Sequence, residues 1–151
     1  MTEEKNIPTH VVAVMGFVKK GNKFLVAKRS SDDPQAGGDW SVPGGKVEPG
    51  AKESILEDAV QREVEEEVGV RVKDDMHIIH NNAFYRVSNH HVIGITFLCF
   101  WKSGKARPLE DQEEIKWMTL EELKSADDMP DYMKERIQAL GEYLETHEKQ
   151  L

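Results

Sequence analysis

Glu63, Glu66 and Glu67 fall within the run Arg62-Glu63-Val64-Glu65-Glu66-Glu67-Val68-Gly69-Val70. A helix turning about 100° per residue puts these three carboxylates in one narrow wedge and sends Glu65 to the far side. Like charges at that spacing repel, and they lie near the helix C-terminus, where the macrodipole disfavours negative charge. A divalent cation reverses the sign of that cost. Clustered hard oxygen ligands suit Mg2+ or Mn2+, which keep several waters and bind through a few carboxylates together with substrate phosphates.

The elements around the triad are those that would position it. Gly44-Gly45-Lys46-Val47-Glu48-Pro49-Gly50 precedes it, and glycines let the backbone approach closely enough for Gly44 to offer a carbonyl to a metal or for the loop to cradle phosphate oxygens. Ser54 and Glu57 have the spacing of a capping box, which predicts a helix beginning at about Ile55. Gly69 ends it in the left-handed conformation. Leu56, Val60, Val64 and Val68 form the apolar stripe that docks on a sheet, so the acidic face and the packing face are adjacent. Arg62 stands four residues before Glu66 and is expected to pair with it, orienting the ligand. An acidic run alone is more often a solvated helix face. The glycine loop, the cap, Arg62 and Gly69 together favour the metal site.

With these residues the chain resembles the Nudix family, whose signature reads Gly-x5-Glu-x7-Arg-Glu-U-x-Glu-Glu-x-Gly-U, where U is bulky and aliphatic. The second half matches at every fixed position. Between Gly45 and Arg62 the chain carries three more residues than the pattern. The pattern's first Glu falls on Ala51 counted forward and on Ser54 counted back, and Glu53 and Glu57 are both near. The resemblance implies a single domain over residues 1–151, an α/β (α+β) fold in which an α/β/α sandwich surrounds a mixed sheet, and hydrolysis of a nucleoside diphosphate linked to another moiety. It implies Mg2+ or Mn2+ at Glu63, Glu66 and Glu67. It also implies a basic residue facing substrate near Arg29, and a carboxylate before the last strand, Glu113 or Glu110, that completes the metal site or acts as general base. Arg62, Glu66 and Glu113 are the expected catalytic set.

The bounds of the whole chain agree with this. One domain with a real core suits 151 residues. A net charge of −8 argues against a general binder of nucleic-acid polymers, although bound metals let an acidic enzyme take polyphosphates. Cys99, the lone cysteine, excludes an intrachain disulfide. Met1 to Asn6 lacks the features of a signal peptide, and the apolar run near Phe97 to Trp101 is too short for a bilayer. The expectation is a cytoplasmic protein without a membrane partner, acting on a small nucleotide, with homodimerisation left open.

Along the chain, His10 to Val18 and Lys23 to Ala27 read as a hairpin around Lys20-Gly21-Asn22. Arg29 at its exit has the planar donors to grip phosphate. Trp40 can stack on a base or close the core, and the core reading is slightly favoured. Lys46 can touch phosphate or stay solvated. Val70 to Val72, His77 to Ile79 and Asn82 to Val87 are short strand candidates, with Phe84 and Tyr85 open as base-pocket residues. His91 to Trp101 reads as a central strand covered on both faces. Ile115 to Met118 is a strand, Thr119 to Glu122 a second capping box, and Met133, Ile137, Leu140 and Leu144 the stripe of a closing helix. The chain's histidines lack zinc spacing.

Two other functions are compatible with the scaffold. One is a nucleotide-sensing module that has lost turnover. The other is an isomerase of the isoprenoid type, which needs a reactive cysteine where Cys99 sits in an apolar strand.

Overall fold

A computed structural model describes residues 7–50 and 52–147. The readings of Met1 to Asn6 and of Ala51 lie outside the described residues. In chain order come β1 (Val11–Lys20), β2 (Lys23–Arg29), β3 (Trp40–Ser41), β4 (Gly44–Lys46), α1 (Ile55–Val68), β5 (Arg71–Tyr85), β6 (His91–Ser103), β7 (Gln112–Thr119), α2 (Leu120–Ser125) and α3 (Asp131–His147).

The sheet runs β3-β2-β1-β6-β5, with β4 also on β1 and β7 also on β2. It is mixed: β1 and β6 are parallel, from Val11 opposite Val92 to Lys19 opposite Phe100, while the β1–β2 hairpin, β1–β4, β2–β7 and β5–β6 are antiparallel. Side chains alternate across a strand, so β1 serves two cores. Val14 and Val18 pack with Val60, Val64 and Val68 of α1, and Met15 and Phe17 pack with Met133, Ile137 and Leu140 of α3. On β6, Phe97 and Cys99 join the first core and Leu98 the second. The central strands are thus covered on both faces, as the apolar run of β6 predicts, and the result is the expected α/β/α sandwich.

Three differences from the sequence reading have physical causes. The short strands expected between Val70 and Val87 are one continuous β5, whose pairing with β6 slips between Arg71 and Val72, between Val72 and Met76, and between Ile78 and His80. Each irregularity interrupts the alternation of side chains, so one strand reads as several. The second concerns Ser54, which adopts the left-handed conformation (φ 52°, ψ 31°) and makes no side-chain hydrogen bond to α1. A capping side chain has to start from extended backbone to reach the first-turn N–H groups, so the expected capping box is absent. Thr119 does start from extended backbone (φ −71°, ψ 164°), and its box with Glu122 is complete. Third, β7 begins at Gln112, earlier than expected, because the sheet pairing with β2 reaches back to Arg29.

The helix end is as expected. Gly69 takes φ 71° and donates its N–H to the Glu65 carbonyl at 3.0 Å.

Candidate functional site

Strand β4 brings the glycines under α1. Gly44 lies opposite Met15 and Gly45 opposite Val14. The Gly44 N–H donates to Glu67 Oε2 at 2.9 Å. A Cβ on Gly45 would collide with the Glu63 carboxyl group, 2.6 Å from Oε1. One strand therefore fixes two of the three expected metal carboxylates, one through a hydrogen bond and one through the space a missing side chain leaves. The extra residues between Gly45 and Arg62 do not disturb this, because the loop ahead of α1 absorbs them: Lys52, Glu53 and Ser54 are all exposed. Glu53 and Glu57 are both solvent-facing.

The carboxylates at this end are only partly compensated, Glu63 by Arg62 and Glu67 by the charge of Arg29. Glu67 is only 7% exposed. Burial, against the Gly44 hydrogen bond and with the charges of Glu63 and Glu110 adding to it, pushes its pKa up to about 8. Burial likewise raises Glu63, opposed by the Arg62 hydrogen bond and reinforced by Glu66. Glu66 is exposed on the same face, and among the described residues no three His, Cys, Asp or Glu side chains converge on one metal-sized point. The expected triad shares a face without closing on a centre. Its chemistry still fits a hard divalent cation, because crowded carboxylate oxygens that lack enough positive charge are what such an ion requires.

Arg62 makes a different contact from the expected one, and Glu113 makes one that was not expected. Arg62 does not pair with Glu66; its Nη2 donates to the Lys46 carbonyl at 3.2 Å and approaches Glu63 Oε1 at 3.4 Å. The guanidinium ties the helix to β4 rather than to the next turn. Glu113 is exposed and accepts from the Ser31 N–H at 2.9 Å, so it pins the loop after β2. Of the two acids left open before the last strand, Glu110 is the one whose charge acts on both Glu63 and Glu67. The loop carrying it is held against the end of α1 by the Leu109 N–H on the Glu67 carbonyl, 2.9 Å.

From β4 a cleft of about 370 Å3 opens, lined by Met15, Arg29, Gln35, Gly44, Gly45, Lys46, Asn82, Phe84, Arg86, Val92, Tyr132 and Arg136 among others. Arg29, expected to face substrate, reaches it with its guanidinium held by Asp33 at 2.6 Å. Lys46 lines it and is exposed. Trp40 does not line it; the ring is 5% exposed in the second core, under the Lys116 ammonium at 4.6 Å. Of the two open aromatics, alternation along β5 turns Phe84 into the cleft, while Tyr85 is 67% exposed and stacks on His91. The Val87 N–H donates to Gln35 Oε1 at 3.1 Å, joining the loop after β2 to the β5–β6 turn beside the cleft.

Sequence reasoning missed Asn82, Arg86, Tyr132 and Arg136. Asn82, Phe84 and Arg86 share the period of two that β5 imposes, which was the available signal. Arg136 had none, since an arginine in an amphipathic helix reads as a solvated charge. Cys99 is buried, and burial pushes its thiol up to about 12. It is no nucleophile, which removes the isomerase reading.

A family model described as the NUDIX domain matches residues 9–140. The chain is 30% identical over 121 residues to a MutT-like protein of Streptomyces ambofaciens, across 80% of this chain and 71% of that one. It is 34% identical over 112 residues to an ADP-ribose pyrophosphatase of Methanocaldococcus jannaschii, across 74% of this chain and 63% of that one. Among solved structures, a MutT protein from Methanosarcina mazei has the same fold with a TM-score of 0.74, at 24% identity, over 89% of this chain and 94% of that one.

Proposed function

The chain belongs to the Nudix family of hydrolases, and from that premise we propose that it cleaves a phosphoanhydride in a nucleoside diphosphate linked to another moiety, with Mg2+ or Mn2+ held at Glu63, Glu66 and Glu67. The observation that carries this reading is the buried Glu67 carboxylate, fixed by the Gly44 N–H beside Glu63 and, among the described residues, in no ion pair, with only the charge of Arg29 acting on it from a distance. When bound, a divalent ion supplies positive charge to the phosphates and acidifies the attacking water.

The chain's own residues do the rest. Gly44 and Gly45 line the cleft with backbone, and their lack of side chains lets β4 lie close to β1 and to the Glu63 carboxylate. Arg62 holds Glu63 and the Lys46 carbonyl in register, so the helix face and the strand stay fixed relative to each other. Glu66 is the solvent-accessible member of the triad, which suits the group that takes the proton from water, with Glu110 and Glu113 as the distal candidates. Phe84 and Met15 give the cleft an apolar wall for the nucleoside.

The test is nucleotide release, with and without Mg2+, from ADP-ribose first, then nucleoside triphosphates, oxidised nucleotides, dinucleoside polyphosphates and nucleotide sugars. Metal-dependent product that disappears in both Glu66→Gln and Glu67→Gln is expected. Full turnover in both variants, or in the presence of excess chelator, overturns the assignment. Ligand binding without product returns the chain to the nucleotide-sensing reading.

A further inference from the structure

The residues lining the cleft include Arg29, Lys46, Arg86 and Arg136 and not one Asp or Glu, in a chain whose net charge is −8. Two of these cations are accounted for: Arg29 is neutralised by Asp33, and Lys46 is an exposed lysine next to the acidic end. Arg136 is different. It is 6% exposed, and its Nε is buried without a hydrogen-bond partner. Among the described residues it forms no ion pair. Its guanidinium lies 5.1 Å from the ring of Tyr132. The nearby carboxylate of Asp39 is already engaged, accepting from the Tyr132 hydroxyl at 3.0 Å. Burial lowers the guanidinium's pKa, Tyr132 and the adjacent, solvent-exposed Glu135 oppose that without pairing with it, and the guanidinium stays charged.

A buried charge with no counter-ion is strongly destabilising. A neutral acceptor would satisfy the hydrogen bonds and leave the charge. An anion would satisfy both, and the planar fork of donors is matched to a carboxylate or a phosphate. The surface through which Arg136 lines the cleft is the one a ligand would meet, and Arg86, just past the end of β5, adds a second guanidinium. We propose that Arg136 selects substrates whose portion remote from the scissile diphosphate carries a second acidic group, a phosphate monoester or a carboxylate. This rests on the hydrolase reading above. Arg136 is a specificity residue that contacts the substrate away from the reacting phosphorus, and Tyr132 holds its plane.

Matched compounds differing only by that group test it. NADP+ against NAD+ and coenzyme A against dephospho-coenzyme A report on a phosphate; UDP-glucuronate against UDP-glucose reports on a carboxylate. In at least one pair the acidic member should have a kcat/KM about tenfold higher, mostly through KM. Arg136→Gln should bring that ratio close to one, and Arg136→Lys should keep part of it. Ratios near one in every wild-type pair, or a ratio that survives in Arg136→Gln, overturn the proposal. Should Arg136→Gln fail to fold, the wild-type ratios decide. If none of these compounds is hydrolysed, thermal unfolding with the same pairs and Mg2+ decides for Arg136, while the hydrolase reading is decided separately by the nucleotide panel above. Stronger stabilisation by the acidic member in wild type supports it, and equal stabilisation refutes it.

Discussion

The acidic helix face behind Gly44 and Gly45 and the basic wall of the cleft that these glycines line are built by opposite strategies. The acidic end is local: Gly44, Gly45, Glu63 and Glu67 come from one strand and one helix separated by a loop, and two contacts with β4 fix the carboxylates. The basic wall is dispersed: Arg29 comes from β2, Arg86 from beyond the end of β5 and Arg136 from α3. The local end gathers negative charge that needs a cation, whereas the dispersed wall offers positive charge that needs an anion. A diphosphate ester with a charged remote group, bridged to the helix by a divalent ion, would satisfy both at once. The comparison also shows where specificity can change cheaply. Substitutions in the wall touch one element each, while any change at the acidic end disturbs the strand and helix together.

The comparison breaks most severely at Glu67. Glu67→Gln keeps an acceptor for the Gly44 N–H and removes the buried charge, so kcat should fall on the order of a thousandfold, the scale of losing a main electrostatic contact. Above about pH 8, where Glu67 of the metal-free protein is ionised, the variant should unfold at the same temperature or higher, because an uncompensated buried carboxylate has gone. Steady-state kinetics with Mg2+ and thermal unfolding in chelator check the two halves separately. Loss of activity together with lower stability would mean that Glu67 is structural.

The adjacent glycines separate position from packing. A Cβ on Gly45 meets the end of the flexible Glu63 side chain, whereas a Cβ on Gly44 meets the Val14 carbonyl and the Met15 backbone. Gly45→Ala should therefore lower kcat by about ten- to a hundredfold, as misplacement of a catalytic group does, with the unfolding midpoint little changed. Gly44→Ala should destabilise by about 1–3 kcal/mol as overpacking does. Urea unfolding alongside kinetics distinguishes them. Equal effects on both readouts in both variants would erase the distinction.

What the sequence made legible follows the same division. The helix face of Glu63, Glu66 and Glu67, the stop at Gly69 and the two-faced burial of β6 depend on periodicities within a single element, and periodicity survives translation into sequence. Glu113 against Glu110 was not decidable, because the turn at Leu109 to Gln112 and the left-handed Glu110 (φ 50°) determine which acid meets α1. Arg136 was invisible for a stronger reason. Whether an arginine on a helix is solvated or buried depends on what the remaining chain packs over it, here Tyr132 and the cleft wall. Arg62 misled because the helical spacing to Glu66 was available, but a carbonyl from β4, sixteen residues earlier in the chain, competes better.

The smallest expected effect bears on how the acidic helix is held. Ser54-Ile55-Leu56-Glu57 and Thr119-Leu120-Glu121-Glu122 carry the same capping pattern, yet only the second forms a box. Thr119 is the last residue of β7, paired with Lys23, and the sheet keeps it extended before the helix starts. Ser54 leaves a solvent-exposed loop with no such constraint. Thr119→Ala should cost about 1 kcal/mol, as loss of an N-cap does, whereas Ser54→Ala forfeits no cap and Ser54→Gly should stabilise slightly, since glycine takes positive φ freely. The Thr119 N–H and hydroxyl also hold the Glu122 carboxyl below its usual range. A depressed folded-state pKa contributes stability present above the unfolded value and lost as pH falls through the folded one, so the difference between wild type and Thr119→Ala should shrink in acid. If Ser54→Ala proved as costly as Thr119→Ala, α1 would depend on its start after all. If it is silent, the carboxylate helix is anchored by its Val60-Val64-Val68 stripe, by Gly69 and by β4, and the loop before it is free to vary in length without moving the metal-binding face.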